Sequence, residues 1–373
     1  MTSVRLEQIV KEYDMVDQVT LTGYKNPPAL RSVSLEIRDG ETLCVVGPSG
    51  CGKSTLLKVI AGLEFPQRGR VFYDNFDMTE IKPQDRGVGM VFQDYALYPT
   101  MKGKGNLAYY FQQHERTEEE MEERVRHTSK LMGVDFELLL GRTTETLSGG
   151  EQQRVAIARC IVRDPLVFLM DEPIVNLDAK RREQTRIEIK KLLRKFHITT
   201  VYVTHDQQEA VFMGDRLAVM RAGVIEQIGT FDELYYTPAN LFVAIFIGTP
   251  PINILPAEIH ESRVSIGEQS WALPEAPAAH LKPGKVRIGV RPDNWQLNTP
   301  DGMVLPVSHI ERIPTERAAF IHGSLSGRNV VALTSLEQPE VESVRVTPEW
   351  ERVIFFEPED EGVIYTPGPP EFF

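Results

Sequence analysis

The stretch ETLCVVGPSGCGKSTLLKVIAGL, residues 41–63, constrains this chain more tightly than any other. Its apolar opening reads as a buried strand, and STLLKVIAGL places apolar residues at helical spacing with Lys58 on the opposite face. Between them runs the pattern G-x-x-x-x-G-K-[ST], met by Gly47, Gly52, Lys53 and Ser54. Glycines let backbone N–H groups converge on an anion, a wrap that side chains would block. The following helix N-terminus adds roughly half a positive charge. A turn matching the pattern by chance needs no strand before it and no helix after it. The segment therefore predicts a phosphate cradle in an α/β sheet, formed by Gly47, Pro48, Ser49, Gly50, Cys51, Gly52, Lys53, Ser54 and Thr55. Lys53 is expected to reach the β- and γ-phosphates of a nucleotide, and the Ser54 hydroxyl to ligate Mg²⁺.

Two further segments acquire meaning from that loop. VFLMDEP, 167–173, is an apolar strand that delivers Asp171 to a sheet edge, where a carboxylate can hold Mg²⁺ through the metal's water shell. Glu172 follows and can polarise a water for attack on a γ-phosphate. In LSGGEQQRVAIARCIVRDP, 147–165, Ser148, Gly149 and Gly150 precede a helix with apolar Val155, Ile157, Ala158, Ile161 and Val162. The triplet could cap a core helix, or it could offer a second set of N–H donors to a phosphate. One chain would then own two phosphate-binding edges. They meet on the same ATP only if a second subunit supplies one of them.

The formal net charge of −12 argues against a nucleic-acid surface, which needs a basic stripe. Cys44, Cys51 and Cys160 have no metal spacing and fit a reducing compartment better than a disulfide framework. No N-terminal signal is visible, and no run approaches the ~18–20 apolar residues of a membrane span, so a membrane role is expected to run through a partner. Up to about residue 240, short β-branched runs alternate with helical segments, as in a parallel-sheet α/β domain. TEEEMEERVRHTSKLMGV predicts an amphipathic helix with an acidic first turn. DAKRREQTRIEIKKLLRKFH predicts another, with Ile187, Ile189, Leu192, Leu193 and Phe196 as its apolar positions. Beyond 240, prolines cluster and short alternating runs follow, which predicts a small β-barrel or OB-like domain. The expected division is 1–240 and 241–373.

LSGGEQQR, set between a GPSGCGKST loop and an LMDEP strand, resembles the ATPase subunit of an ATP-binding-cassette (ABC) transporter, over essentially the whole chain. The resemblance implies an α/β nucleotide-binding domain with a helical subdomain, followed by an all-β, OB-like regulatory domain. VGMVFQDYALYPTM is similar to the Q-loop, with Gln93 near Mg²⁺. NLDA is similar to the D-loop, with Asp178, and VTHDQQEA to the switch region, with His205 near the γ-phosphate. VRLEQIVKEYD is similar to the opening strand whose closing aromatic stacks on adenine, which selects Tyr13 and leaves Tyr24 as a rival. Two departures stand out. Val175 replaces the small hydroxyl residue usual in the D-loop, and MKGKGNLAYYF, where a membrane partner's coupling helix would be received, is unusually rich in glycine and lysine.

FIGTPPINILP and IGVRPDNWQL resemble the regulatory domain of maltose-type importer ATPases, a group handling oligosaccharides, other sugars and glycerol-phosphate. The implied protein uses ATP and Mg²⁺ as a homodimer, with nucleotide between Gly47–Thr55 of one copy and Ser148–Gly150 of the other. Glu172 would serve as base, Lys53 and His205 would hold phosphate, and Asp171, Ser54 and Gln93 would surround the metal. Its partners would be two membrane-spanning permease subunits and, indirectly, a solute-binding protein, at the cytoplasmic face of the membrane. Polyamine, iron, sulfate or molybdate import, a soluble cassette ATPase working on ribosomes or DNA, and a metabolite kinase are the alternatives.

Overall fold

The computed structural model describes residues 2–13, 27–114, 116–133 and 135–369. Tyr24 lies outside them. Two compact units meet between Ile228 and Gly229, ahead of the composition change at 241.

The first unit is built on two sheets. Strands β1 (Val4–Lys11), β2 (Leu30–Ile37), β3 (Thr42–Val46), β4 (Arg68–Tyr73), β5 (Phe76–Asp77), β6 (Val88–Val91), β7 (Val167–Asp171), β8 (Thr199–Val203), β9 (Arg216–Arg221) and β10 (Val224–Gly229) supply them. The smaller sheet runs β2-β1-β4-β5, and the larger runs β10-β9-β3-β8-β7-β6. β3 pairs in parallel with β8 and β9, and β7 pairs in parallel with β6 and β8. Every residue of β3 and β8 is buried, which is why both read as unbroken apolar or β-branched runs instead of alternating ones. Helix α1 (Lys53–Ala61) leaves the end of β3 and buries Leu56, Leu57, Val59 and Ile60 in the same core as β1, β2 and β4. Truncating one of these leucines to alanine would cost about 2–5 kcal/mol.

A helical segment is inserted between β6 and β7: α2 (Gly103–Gln113), α3 (Glu118–Met132), α4 (Phe136–Leu140) and α5 (Gly149–Ile161). α3 begins where the sequence predicts it. Thr117 accepts from the Glu120 N–H, and Glu118, Glu119 and Glu120 fill the first turn, where negative charge suits the helix dipole. Val155, Ile157, Ala158 and Ile161 of α5 are buried, as their spacing predicts. α6 (Ala179–Phe196) departs from expectation at Ile187, which is 40% exposed while Ile189 and Leu193 are buried. The inward stripe therefore runs through Thr185, Ile189 and Leu193 at a four-residue step. α7 (Gln207–Met213) completes this unit.

The second unit opens with two short helices, α8 (Phe231–Tyr236) and α9 (Leu241–Phe246), so it is β-rich rather than wholly β. One sheet combines β11 (Asn253–His260), β12 (Arg263–Ile266), β13 (Gln269–Ala272) and β14 (Gly284–Val290) with two late strands, β20 (Ile354–Phe356) and β21 (Val363–Tyr365). The other contains β15 (Trp295–Leu297), β16 (Met303–Ile313), β17 (Ala318–Leu325), β18 (Arg328–Ser335) and β19 (Ser343–Pro348). Leu255, Ile288, Leu305, Ile321 and Phe355 from both sheets share one core. Arg291 is fully buried here. Its guanidinium donates to the carbonyls of Tyr235, Ala244 and Ile247, which ties both helices to the end of β14. Among the described residues no helix is long and apolar enough to cross a membrane.

Candidate nucleotide site

Two glycines of the 47–52 loop are sterically required. A Cβ on Gly47 would stand 2.1 Å from the Met220 carbonyl oxygen, and one on Gly52, at φ +109°, would stand 2.4 Å from that of Ala29. Gly52 caps α1, so Lys53 is its first helical residue. The Lys53 ammonium is buried and turns back into the loop, donating to the carbonyls of Gly47 (2.8 Å) and Pro48 (3.1 Å). Cys51 Sγ lies 3.9 Å from it, and burial raises that thiol's pKa, so the loop cysteine stays neutral beside the ammonium.

Ser54 donates its hydroxyl proton to Asp171 Oδ1 at 3.1 Å, joining the helix start to the end of β7. Burial raises the Asp171 carboxyl's pKa; the Ser54 bond opposes this and the adjacent Glu172 reinforces it. A carboxylate that the fold charges at a cost, next to a hydroxyl, is a pair of hard oxygen donors. It fits Mg²⁺, which takes one or two protein oxygens and fills its remaining positions with water and phosphate. Glu172 adopts φ +46°, a left-handed backbone that costs a non-glycine residue about 1–3 kcal/mol. Its N–H is anchored to the Val203 carbonyl at 3.0 Å, and its Oε2 lies 3.2 Å from His205 Nδ1. The His205 side chain is 54% exposed.

The loop carrying His205 rests on a buried acid that the sequence reading missed. Glu209 accepts from the Tyr202 hydroxyl and from Thr204 Oγ1 (2.9 Å), while Asp206 caps α7 by accepting from the Glu209 N–H. Burial raises the Glu209 carboxyl's pKa, against the two hydroxyl bonds. The signal was present in VTHDQQEA: an Asp at a helix start and a Glu three residues later form a capping pattern, which says nothing of burial.

Tyr13 is 46% exposed with its hydroxyl 3.4 Å from Thr55 Oγ1, at the edge of the phosphate loop. Gln93 is exposed in the turn after β6, and its carbonyl accepts from Asn176 Nδ2 at 2.9 Å. Beside that turn lies a groove of about 470 Å³, lined by Phe92, Tyr98, Tyr109, Tyr110 and Arg159 among others. Ser148 is the N-cap of α5; its N–H donates to Glu151 Oε2 at 2.7 Å, and this bond, first of all, lowers the Glu151 pKa. Asp178 caps α6, accepting from the Arg181 N–H at 3.1 Å. Both therefore act as helix caps, the reading the sequence left open for Ser148. Within the chain, loop 47–55, Asp171, Glu172 and His205 come together. Among the described residues no hydrogen bond or ion pair links Ser148, Gly149, Gly150 or Asp178 to that loop.

The family model described as ABC transporter matches residues 30–175. The chain is 40% identical over 346 residues to the sn-glycerol-3-phosphate import ATP-binding protein UgpC of Yersinia enterocolitica, with 91% of this chain and 92% of that protein covered. It is 45% identical over 305 residues to UgpC 3 of Agrobacterium fabrum, with 80% and 84% covered. Among solved structures, a dimeric post-hydrolysis ATP-binding cassette bound to ADP and Pi matches 61% of this chain and 98% of its own, at 33% identity and a TM-score of 0.52. The strand–glycine loop–helix unit, the capped Ser-Gly-Gly helix and the acidic strand end that faces the loop all fall within the matched residues 30–175. The chain belongs to the ABC transporter family, as one of its ATPases.

Proposed function

We propose that this ATPase powers an importer for glycerol-phosphate or a related sugar-type solute. The observation that carries the reading is the likeness to the UgpC proteins, which extends through both units and not through the cassette alone. Two copies would face head to tail, each ATP lying between Gly47–Thr55 of one and Ser148–Gly150 of the other. The Ser148 cap and the first N–H groups of α5 suit this role, since they have no partner in the loop of their own chain. Two permease subunits would bind on the cytoplasmic face of the membrane, their coupling segments docking in the groove beside the Gln93 turn, with a solute-binding protein delivering cargo.

In the proposed mechanism Lys53 exchanges its carbonyl partners for β- and γ-phosphate oxygens. Ser54, Asp171 and Gln93 would hold Mg²⁺, directly or through its water shell, and the ion when bound would neutralise phosphate charge. Glu172 takes a proton from the attacking water, and His205 steadies both Glu172 and the γ-phosphate. Tyr13 stacks on adenine. Preorganised positive charge and N–H donors supply the larger part of the acceleration. The test is reconstitution with the native permease: ATPase activity should rise when the binding protein carries glycerol-phosphate or a sugar and stay basal when it carries sulfate or a polyamine. Stimulation by one of the latter alone would reassign the solute.

A further inference from the structure

We propose that Arg159 is a positioning residue for hydrolysis, holding the turn that presents Gln93 in register with the helix that begins at Ser148. The turn contains two successive non-glycine residues in left-handed backbone, Tyr95 at φ +62° and Ala96 at φ +45°. Backbone of that kind is strained, and donors that engage its carbonyls help to fix it. Arg159, near the end of α5, supplies both: its two terminal nitrogens donate to the Ala96 carbonyl at 2.6 Å and the Tyr95 carbonyl at 3.2 Å. The same guanidinium sits 5.8 Å from the Tyr98 ring and lines the groove beside the turn. From the other side, Asn176 of the NLDA segment holds the Gln93 carbonyl at 2.9 Å. The turn is thus clamped between α5 and the loop after β7. Movement of α5, or contact with Tyr98 and Arg159 in the groove, is transmitted to Gln93 by hydrogen bonds. A forked guanidinium can serve two carbonyls at once, which a lysine ammonium on a flexible stem does less well.

The inference rests on the role given to Gln93 above, and the experiment separates the two. Arg159→Ala, Arg159→Lys, Asn176→Ala, Gln93→Ala and the double variant Gln93→Ala/Arg159→Ala are made in the full chain. Hydrogen exchange of residues 92–97 without nucleotide should quicken about tenfold in Arg159→Ala and less in Arg159→Lys. Its kcat should fall about tenfold or more while ATP KM stays within about twofold, because the phosphate loop is untouched. Asn176→Ala should repeat that pattern, and the double variant should be no slower than Gln93→Ala alone. Unchanged exchange, or losses that multiply in the double variant, would overturn the clamp. Normal hydrolysis by Gln93→Ala would instead remove the role of Gln93 and leave the exchange result to judge the clamp as a structural device.

Discussion

Glu172 and His205 are 3.2 Å apart in a site whose backbone is strained at the glutamate itself. Glu172→Gln keeps the shape and loses the base, so hydrolysis should fall about 10²- to 10⁴-fold while ATP affinity persists and ATP-bound dimers accumulate. Rapid-quench turnover beside equilibrium ATP binding measures both, and wild-type turnover would displace Glu172 from its role. Glu209 gives a different kind of prediction. Its folded pKa is raised above the ordinary 4.5, so between that value and the raised one the folded state binds more protons than the unfolded. Stability from this group therefore falls as pH rises through that window. Glu209→Gln should flatten the pH dependence of the melting temperature there, and an unchanged slope would refute the assignment. The loop, Asp171 and Glu172 were legible in the sequence because each has a fixed offset from a strand end. Glu209, Arg159 and Asn176 were not. Their importance lies in which carbonyls or hydroxyls they meet across 7, 63 and 83 residues of chain, and no local pattern encodes that.

Elements were easiest to read where one face alone is buried or where none is exposed. β3, β7 and β8 are apolar runs because both faces are covered, and α3 carries its own start signal in Thr117 and three glutamates. The stripe of α6 was misjudged at Ile187 because apolar residues two apart, Ile187 and Ile189, cannot share a helix face. At this scale α5 is the element with two duties: its start is a self-contained cap and, in the proposed dimer, a phosphate edge. Mixing Ser148→Arg subunits with Lys53→Ala subunits should restore part of the ATPase activity that each lacks alone, because one composite site in the hybrid is intact. Crosslinked hybrids that remain as inactive as the parents would contradict the shared site.

For the whole molecule, every residue given a phosphate, metal or water role precedes position 206, inside the first unit. A chain ended after Ile228 should bind ATP with affinity within about threefold of the full chain. A chain ended at Ile247 should bind as well but melt lower and aggregate more. It keeps α8 and α9 while losing Ile252, Ile354 and Phe356, against which Leu241 and Ala244 pack, and the Arg291 donors to three carbonyls. Calorimetry and nucleotide titration of both chains check this; loss of ATP binding by a folded 2–228 fragment would put part of the site in the second unit.

The Arg291 tie also bears on how such units can be exchanged. A chimera spliced where the prolines begin, near 249, would leave one parent's helices facing the other parent's guanidinium. Homologous subunits should therefore recombine cleanly only at a seam close to 228, with the helices travelling as luggage of the β-rich half. In natural shuffling as in the laboratory, the inheritable block is set by where one buried cation finds its carbonyls, and not by where the amino-acid style of the text changes.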